Sequence, residues 1–187
     1  MLSNRGLAAN PTQYFVLCEL LRTWRAICYA LVEKTMKTGV TMIELKKIKD
    51  CPEHIPTICQ WHHEEWAYLN PGRPFSNRLD EMQEHLEDKL VPNTYIACEN
   101  GVPVGSASIL VCDMDIRSHL EPWLASVYVL AEHRHKGIGR TLVQKIMDHA
   151  RSGGIERFYL YTPDREHFYR HMGWKTIEKM TYHGADV

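Results

Sequence analysis

The sequence lacks paired cysteines. Cys18, Cys28, Cys51, Cys59, Cys98 and Cys112 are scattered with no CxxC spacing, which excludes the dense disulfide framework of a small secreted domain and suits reduced thiols in a cytoplasm. An excess of one charge is missing too: 22 Lys and Arg stand against 23 Asp and Glu, so no overall field is present to hold nucleic acid or an anionic membrane surface. Nor is there a long uncharged apolar run. The stretch 14–32 contains Glu19, Arg22 and Arg25, each costly at a bilayer centre, which excludes a spanning helix. Glu19 also interrupts the apolar core that a secretory signal needs, and no cleavage site follows. Internal repeats and low-complexity tracts are absent. What remains is a soluble chain of 187 residues, 44% of them hydrophobic, enough for one sizeable core plus an appendage.

Several well-known site motifs are also missing. After Gly137 and Gly139 the third glycine of GxGxxG is replaced by Leu142, and GxxxxGK[ST] does not occur, so the dinucleotide and P-loop readings fall. No HExxH is present, and the neighbours His62 and His63 would point about 100° apart on a helix. His167 and His171 would share a helical face without an obvious third ligand. No metal site is expected.

The patterning predicts an N-terminal extension over residues 1–41 and a domain over 42–187. Leu17, Leu20, Leu21, Trp24, Ile27, Cys28 and Leu31 recur at helical spacing, giving an expected helix over 11–36. Such an extension would dock on the domain, pair with a second copy as a homodimer, or be upstream sequence read through to an earlier start codon. Within the domain a half-buried strand is expected over 42–48, helices over 52–69 and around Leu79, Met82, Leu86 and Leu90, and strands over 93–99 and 102–112 joined by an Asn100-Gly101 hairpin. A central strand over 123–130, a helix over 137–152, a strand over 157–162, a helix opened by Pro163 and a last strand over 174–180 complete the domain. The fold class is α/β (α+β), with a mixed, mostly antiparallel sheet flanked by helices.

The informative stretch runs strand, loop, helix, from Val127 through Arg134-His135-Lys136-Gly137-Ile138-Gly139-Arg140-Thr141. A helix start offers unpartnered N–H groups and a positive dipole end, so adjacent glycines let a diphosphate approach that ring of donors. Arg134, Lys136 and Arg140 add charge. Arg134-x-x-Gly137-x-Gly139, followed about thirty residues later by Phe168-Tyr169-Arg170-His171-Met172-Gly173-Trp174, resembles the GNAT superfamily of N-acetyltransferases over residues 42–182. The resemblance implies acetyl-CoA as co-substrate, without a metal, and direct transfer to a small-molecule or peptide amine in a ternary complex. It implies that the backbone of His135, Lys136, Gly137, Ile138, Gly139, Arg140 and Thr141, beside Arg134, binds the pyrophosphate. The strand carrying Val127 and Val129 would splay from the next strand and pair with the pantetheine arm, the Val129 N–H polarising the thioester carbonyl.

An amine attacking a thioester must expel a thiolate, and that sulfur needs a proton. Tyr169 matches the family's general acid; with a reference pKa near 10 it stays protonated at neutral pH and can donate. Glu64, Glu65, Asp113 and Glu121 are the candidate general bases, and Tyr128 is expected on the acceptor side. Thr162 stands where relatives carry an asparagine that contacts the coenzyme. The family's last strand is not evident before Val187, which leaves truncation, a strand from another subunit, or impaired activity. A non-catalytic acyl-CoA sensor or interaction module is the alternative function.

Overall fold

The computed structural model describes residues 15–19, 42–69 and 72–187. Strands β1 (Phe15–Glu19), β2 (Ile43–Lys47), β3 (Asn93–Glu99), β4 (Val102–Leu110), β5 (Trp123–Val129), β6 (Arg157–Tyr159) and β7 (Lys175–Ile177) form a seven-stranded sheet in the order β2-β3-β4-β5-β6-β1-β7. Every pairing is antiparallel except β5 with β6. A small hairpin, β8 (Thr181–Tyr182) with β9 (Ala185–Asp186), stands apart. The helices are α1 (Ile55–Trp66), α2 (Phe75–Glu84), α3 (Ile138–Ser152) and α4 (Glu166–Arg170).

Alternation along β3 sets the layers. Tyr95 and Ala97 join the core that includes Leu142, Val143 and Ile146 of α3, whereas Ile96 and Cys98 join Ile55, Ile58 and Cys59 of α1 and Met82 of α2. Successive residues of a strand face opposite sides, so the sheet lies between α1 with α2 and α3. This is the mixed α/β arrangement that the patterning implied, with β5 fourth of the seven strands. The hairpin between β3 and β4 turns through Asn100 (φ 53) and Gly101 (φ 83), the two left-handed positions that an Asn-Gly pair accepts. The buried stripe of α3 is Ile138, Leu142, Val143, Ile146, Met147 and Ala150, as its 3.6-residue period requires.

The helix expected over 11–36 is corrected at Phe15–Glu19, which is a strand paired with β6 at Leu17↔Tyr159 and with β7 at Phe15↔Ile177. A short apolar run rich in aromatic and β-branched residues satisfies both patterns, and pairing with two strands satisfies its backbone. The rest of that helix lies outside the described residues. Other boundaries differ as well: the helix expected over 52–69 is Ile55–Trp66, α2 ends at Glu84 short of Leu86 and Leu90, the strand expected over 102–112 ends at Leu110, and the strand expected over 174–180 is Lys175–Ile177. The strand expected over 157–162 ends at Tyr159, because β6 meets β5 at the single pair Trp123↔Tyr159 and then has no neighbour on that side. The last helix begins at Glu166 and not at Pro163: the Arg165 N–H donates to Thr162 Oγ1 at 3.1 Å, a local turn that competes with helix.

Gly105 on β4 marks where the layers come closest. A Cβ there would stand 2.7 Å from the Tyr128 carbonyl oxygen and 3.2 Å from Leu142 Cδ1. Gly105→Ala is therefore expected to lower the unfolding free energy by about 1–3 kcal/mol through overpacking. Urea denaturation checks this, and an unchanged midpoint would show that β4 and β5 have room to part.

Candidate active site

The site is built where β5 leaves its neighbour. At the β4–β5 ladder the register shifts between Ser106 and Ser108, and Ser126 takes φ 53. The extra residue is a β-bulge, which bends the strand and re-aims the residues after it. Beyond it the Leu130 N–H donates to Val104 O at 3.0 Å. Successive backbone N–H groups of a strand point to opposite edges, so the Val129 N–H faces the edge that β6 has left open. Arg134 Nε donates to Val129 O on that edge at 2.9 Å, which ties the loop after β5 to the strand.

The loop then enters α3 through two left-handed residues, His135 (φ 63) and Gly137 (φ 83). The space where a Gly137 side chain would project is empty to 4 Å. By position the N–H groups of Ile138, Gly139 and Arg140 have no intrahelical acceptor, whereas the Thr141 N–H is used on Gly137 O at 3.0 Å and its hydroxyl on the same oxygen at 3.2 Å. His135, Lys136 and Arg140 are exposed. An open strand edge leading to a bare helix start fits an extended amide-bearing arm that ends in a diphosphate.

A cavity of about 620 Å³ adjoins this edge; Ser126, Val127, Thr162, Tyr169, Asp113 and Glu65 are among the residues that line it. Tyr169, on α4, is 8% exposed. Its ring lies 5.0 Å from that of Phe168, and Phe168 in turn reaches within 4.0 Å of the Cβ position of Gly139. A chain of contacts therefore runs from the helix start to the phenol. Burial pushes the Tyr169 phenol well above its ordinary pKa, and among the described residues nothing accepts a hydrogen bond from it. Asp113 sits in the loop after β4, where burial pushes its carboxyl up to about 7 against the opposing pull of Arg73 and Arg78.

The bulge has its own support. Ser106 Oγ donates to Ser126 O at 3.3 Å, which commits its one proton, so at 2.9 Å His62 Nε2 must carry the hydrogen between them. Burial holds His62 down to about 3, so the imidazole is neutral and this chain of two bonds persists across ordinary pH.

Comparison with known proteins bears on this geometry. The profile of the Acetyltransferase (GNAT) family matches residues 55–174. The chain belongs to this family. A relative named as an uncharacterized N-acetyltransferase of Chlorobaculum tepidum is 28% identical over 113 residues, 60% of this chain and 66%, just under two thirds, of that protein. The fold is shared with a GCN5-related N-acetyltransferase of Ralstonia eutropha at TM-score 0.57 and 18% identity, covering 75% of this chain and 97% of the other. It is shared with an acetyltransferase of Clostridium acetobutylicum solved with acetyl-CoA, at TM-score 0.56 and 15% identity over 71% and 89%. An aminoglycoside N-acetyltransferase in complex with CoA aligns at TM-score 0.52 and 18% identity over 71% and 85%.

Within this GNAT chain the expected residues fall into groups. Val129, Gly137, Ile138, Gly139 and Arg140 meet at the strand edge and helix start. Ile138 offers its backbone only, since its side chain is buried. Thr162 lines the cavity and shapes the turn into α4. Arg134 is occupied by Val129 O and stands 3.9 Å from Glu65. Of the four candidate bases, Asp113 and Glu65 line the cavity while Glu64 and Glu121 do not. Tyr128 stacks on Trp61 at 5.3 Å and is not among the cavity lining, so it packs α1 onto the sheet. His167 and His171 pack ring against ring at 4.1 Å, and His171 Nδ1 donates to His167 O. Among the described residues no three His, Cys, Asp or Glu side chains gather as a metal ion requires, and no helix is long and apolar enough to cross a membrane. Sequence reasoning missed Ser126, whose left-handed backbone has no cue beyond two small residues inside an apolar strand. It missed Arg73 and Arg78 as well, because a cation in a loop or on an amphipathic helix reads as surface.

Proposed function

We propose that this chain transfers the acetyl group of acetyl-CoA to a primary amine of a small molecule by direct attack in a ternary complex. The observation that carries this reading is that Tyr169 and Asp113 line one cavity beside the open β5 edge. The N–H groups at the start of α3 and the Val129 N–H bind and orient the thioester. Acetyl-CoA supplies the activated acyl group. Val129 N–H faces the thioester oxygen, Asp113 takes one proton from the incoming ammonium, Tyr169 Oη gives its proton to the departing sulfur, and the second proton that the nitrogen sheds on becoming an amide restores the phenol. Because the phenol is pushed up and the carboxyl stands near 7, at neutral pH the acid is protonated and the base is poised between its two states. Isothermal titration with coenzyme A, followed by thiol release in the presence of amines, tests the reading. Absence of coenzyme binding overturns it, and binding without turnover across all amines leaves only an acyl-CoA sensor.

Asp113 gives a prediction in pH. Activity is expected to rise through about pH 7 as the carboxyl ionises, and Asp113→Asn to lose that limb. Stability runs the other way. Below the ordinary aspartate value near 3.9 the group is protonated folded or unfolded and costs nothing. As pH climbs toward about 7 the unfolded chain ionises while the fold resists, so stability falls until the folded carboxyl has ionised. The melting temperature of Asp113→Asn relative to wild type is thus expected to increase from pH 5 to pH 8. A constant difference between the two proteins would show that the carboxyl is not buried in solution.

A further inference from the structure

The transfer reading leaves one charged group of the cavity without work. Arg78 projects from α2, and its backbone carbonyl accepts the Cys59 thiol of α1 at 3.4 Å, which seats α2 on α1. Its side chain is half-buried and lines the cavity that Tyr169 and Asp113 share. Its Nε is buried and has no acceptor, and among the described residues the guanidinium makes no hydrogen bond and no ion pair. The other arginines there are engaged, Arg73 with Glu81 and Arg165 with Asp164, while Glu65 stands by Arg134 and Asp115 accepts the Tyr182 hydroxyl at 3.1 Å. A guanidinium stays charged at any working pH, and a desolvated charge with no partner is costly. Such a cost is offset when a ligand brings the oxygens, and the planar fork of Arg matches a carboxylate in two parallel bonds.

We propose that Arg78 is the acceptor-recognition residue and that the acceptor is an amino carboxylate, its carboxylate on Arg78 and its amine turned toward Asp113. The proposal rests on the transfer reading for its chemistry but not for its binding. Arg73 and Arg165, which also line the cavity, are each paired with a carboxylate, so Arg78 is the arginine there left to meet an acidic group of the acceptor, and its planar fork matches a carboxylate in two parallel bonds.

The test uses the full chain and matched amines: glycine, L-alanine, L-glutamate and L-lysine, the carboxamide of each, phosphoethanolamine and spermidine. Thiol release from acetyl-CoA is expected to favour each amino acid over its carboxamide by about 10- to 100-fold in kcat/KM, the value of a hydrogen-bonded charge. Arg78→Met should erase that preference by raising KM for each amino acid relative to its carboxamide, whatever the common change in kcat, and Arg78→Lys should restore part of it. Carboxamides turned over as well as amino acids by the wild type would overturn the proposal without any variant. So would a preference that survives in Arg78→Met, or spermidine or phosphoethanolamine as the best acceptor. If coenzyme A binds and no amine reacts, titration of the same amino acids into the coenzyme-loaded protein separates the two readings. Binding that Arg78→Met abolishes keeps the subsite and removes the transfer, and no binding removes the subsite.

Discussion

Tyr169→Phe is expected to lower turnover by about 10²- to 10⁴-fold, the range for loss of a positioned general acid, while coenzyme A affinity changes little. The substitution removes one oxygen and leaves the ring, so the contacts to Phe168 at 5.0 Å and Trp174 at 6.0 Å persist. Two other tyrosines line the same cavity, and the structure distinguishes them. The Tyr182 hydroxyl already donates to Asp115 at 3.1 Å. Tyr161 packs against Trp123 and Tyr182, whereas Tyr169 adjoins the residue that covers Gly139. The pH profile adds a second readout. Burial keeps the Tyr169 phenol protonated throughout the working range, so the variant should keep the wild-type profile at reduced height, in contrast to Asp113→Asn, which changes its shape. A fall in coenzyme affinity that matches the fall in rate would mean that the hydroxyl only packs, and undiminished turnover would move the acid elsewhere.

The parts of the fold that could be read in advance are those where one local signal sufficed. Asn100-Gly101 specifies its turn by backbone preference alone, the stripe Ile138 to Ala150 specifies the buried face of α3, and β3 matches its expected bounds because Pro92 and Asn100-Gly101 flank it. The strand-loop-helix course into α3 was legible for the same reason: Gly137 takes a positive φ and the adjoining helix α3 is strongly periodic. Residues whose role depends on distant neighbours were not. Ser126 becomes a bulge only because β4 and β5 shift register. Arg78 becomes a cavity residue only because Met82 and Leu79 pack α2 onto Ile55, Ile58 and Cys59 of α1. Among four carboxylates of similar local context, Asp113 is singled out by burial beside Arg73 and Arg78, which no spacing encodes. Phe15–Glu19 took the wrong period because a five-residue apolar run is compatible with either element.

Phe158→Ala should produce the largest loss of stability, about 3–5 kcal/mol for deletion of a buried aromatic side chain. Phe158 is fully buried on β6 in the core that α3 covers, so little around it can collapse into the space. The consequence for activity comes from the aromatic contacts that begin there. Its ring meets Trp174 edge-on at 4.9 Å, Trp174 meets Tyr169 at 6.0 Å, and the Trp174 N–H donates to Tyr169 O at 3.2 Å. Trp174 Nε1 is buried without an acceptor, so its indole is held by packing and not by a hydrogen bond at its edge. Removing Phe158 frees that indole and, with it, the phenol beyond. Turnover per folded molecule is therefore expected to fall while coenzyme affinity, which the proposed reading assigns to β5 and the start of α3, holds. Ile48→Ala provides the comparison, since it empties a fully buried site in the core of α1 and α2 at a cost of about 2–5 kcal/mol. If both variants retain wild-type turnover per folded molecule, Trp174 does not position the phenol. If both lose it equally, the loss reports general loosening.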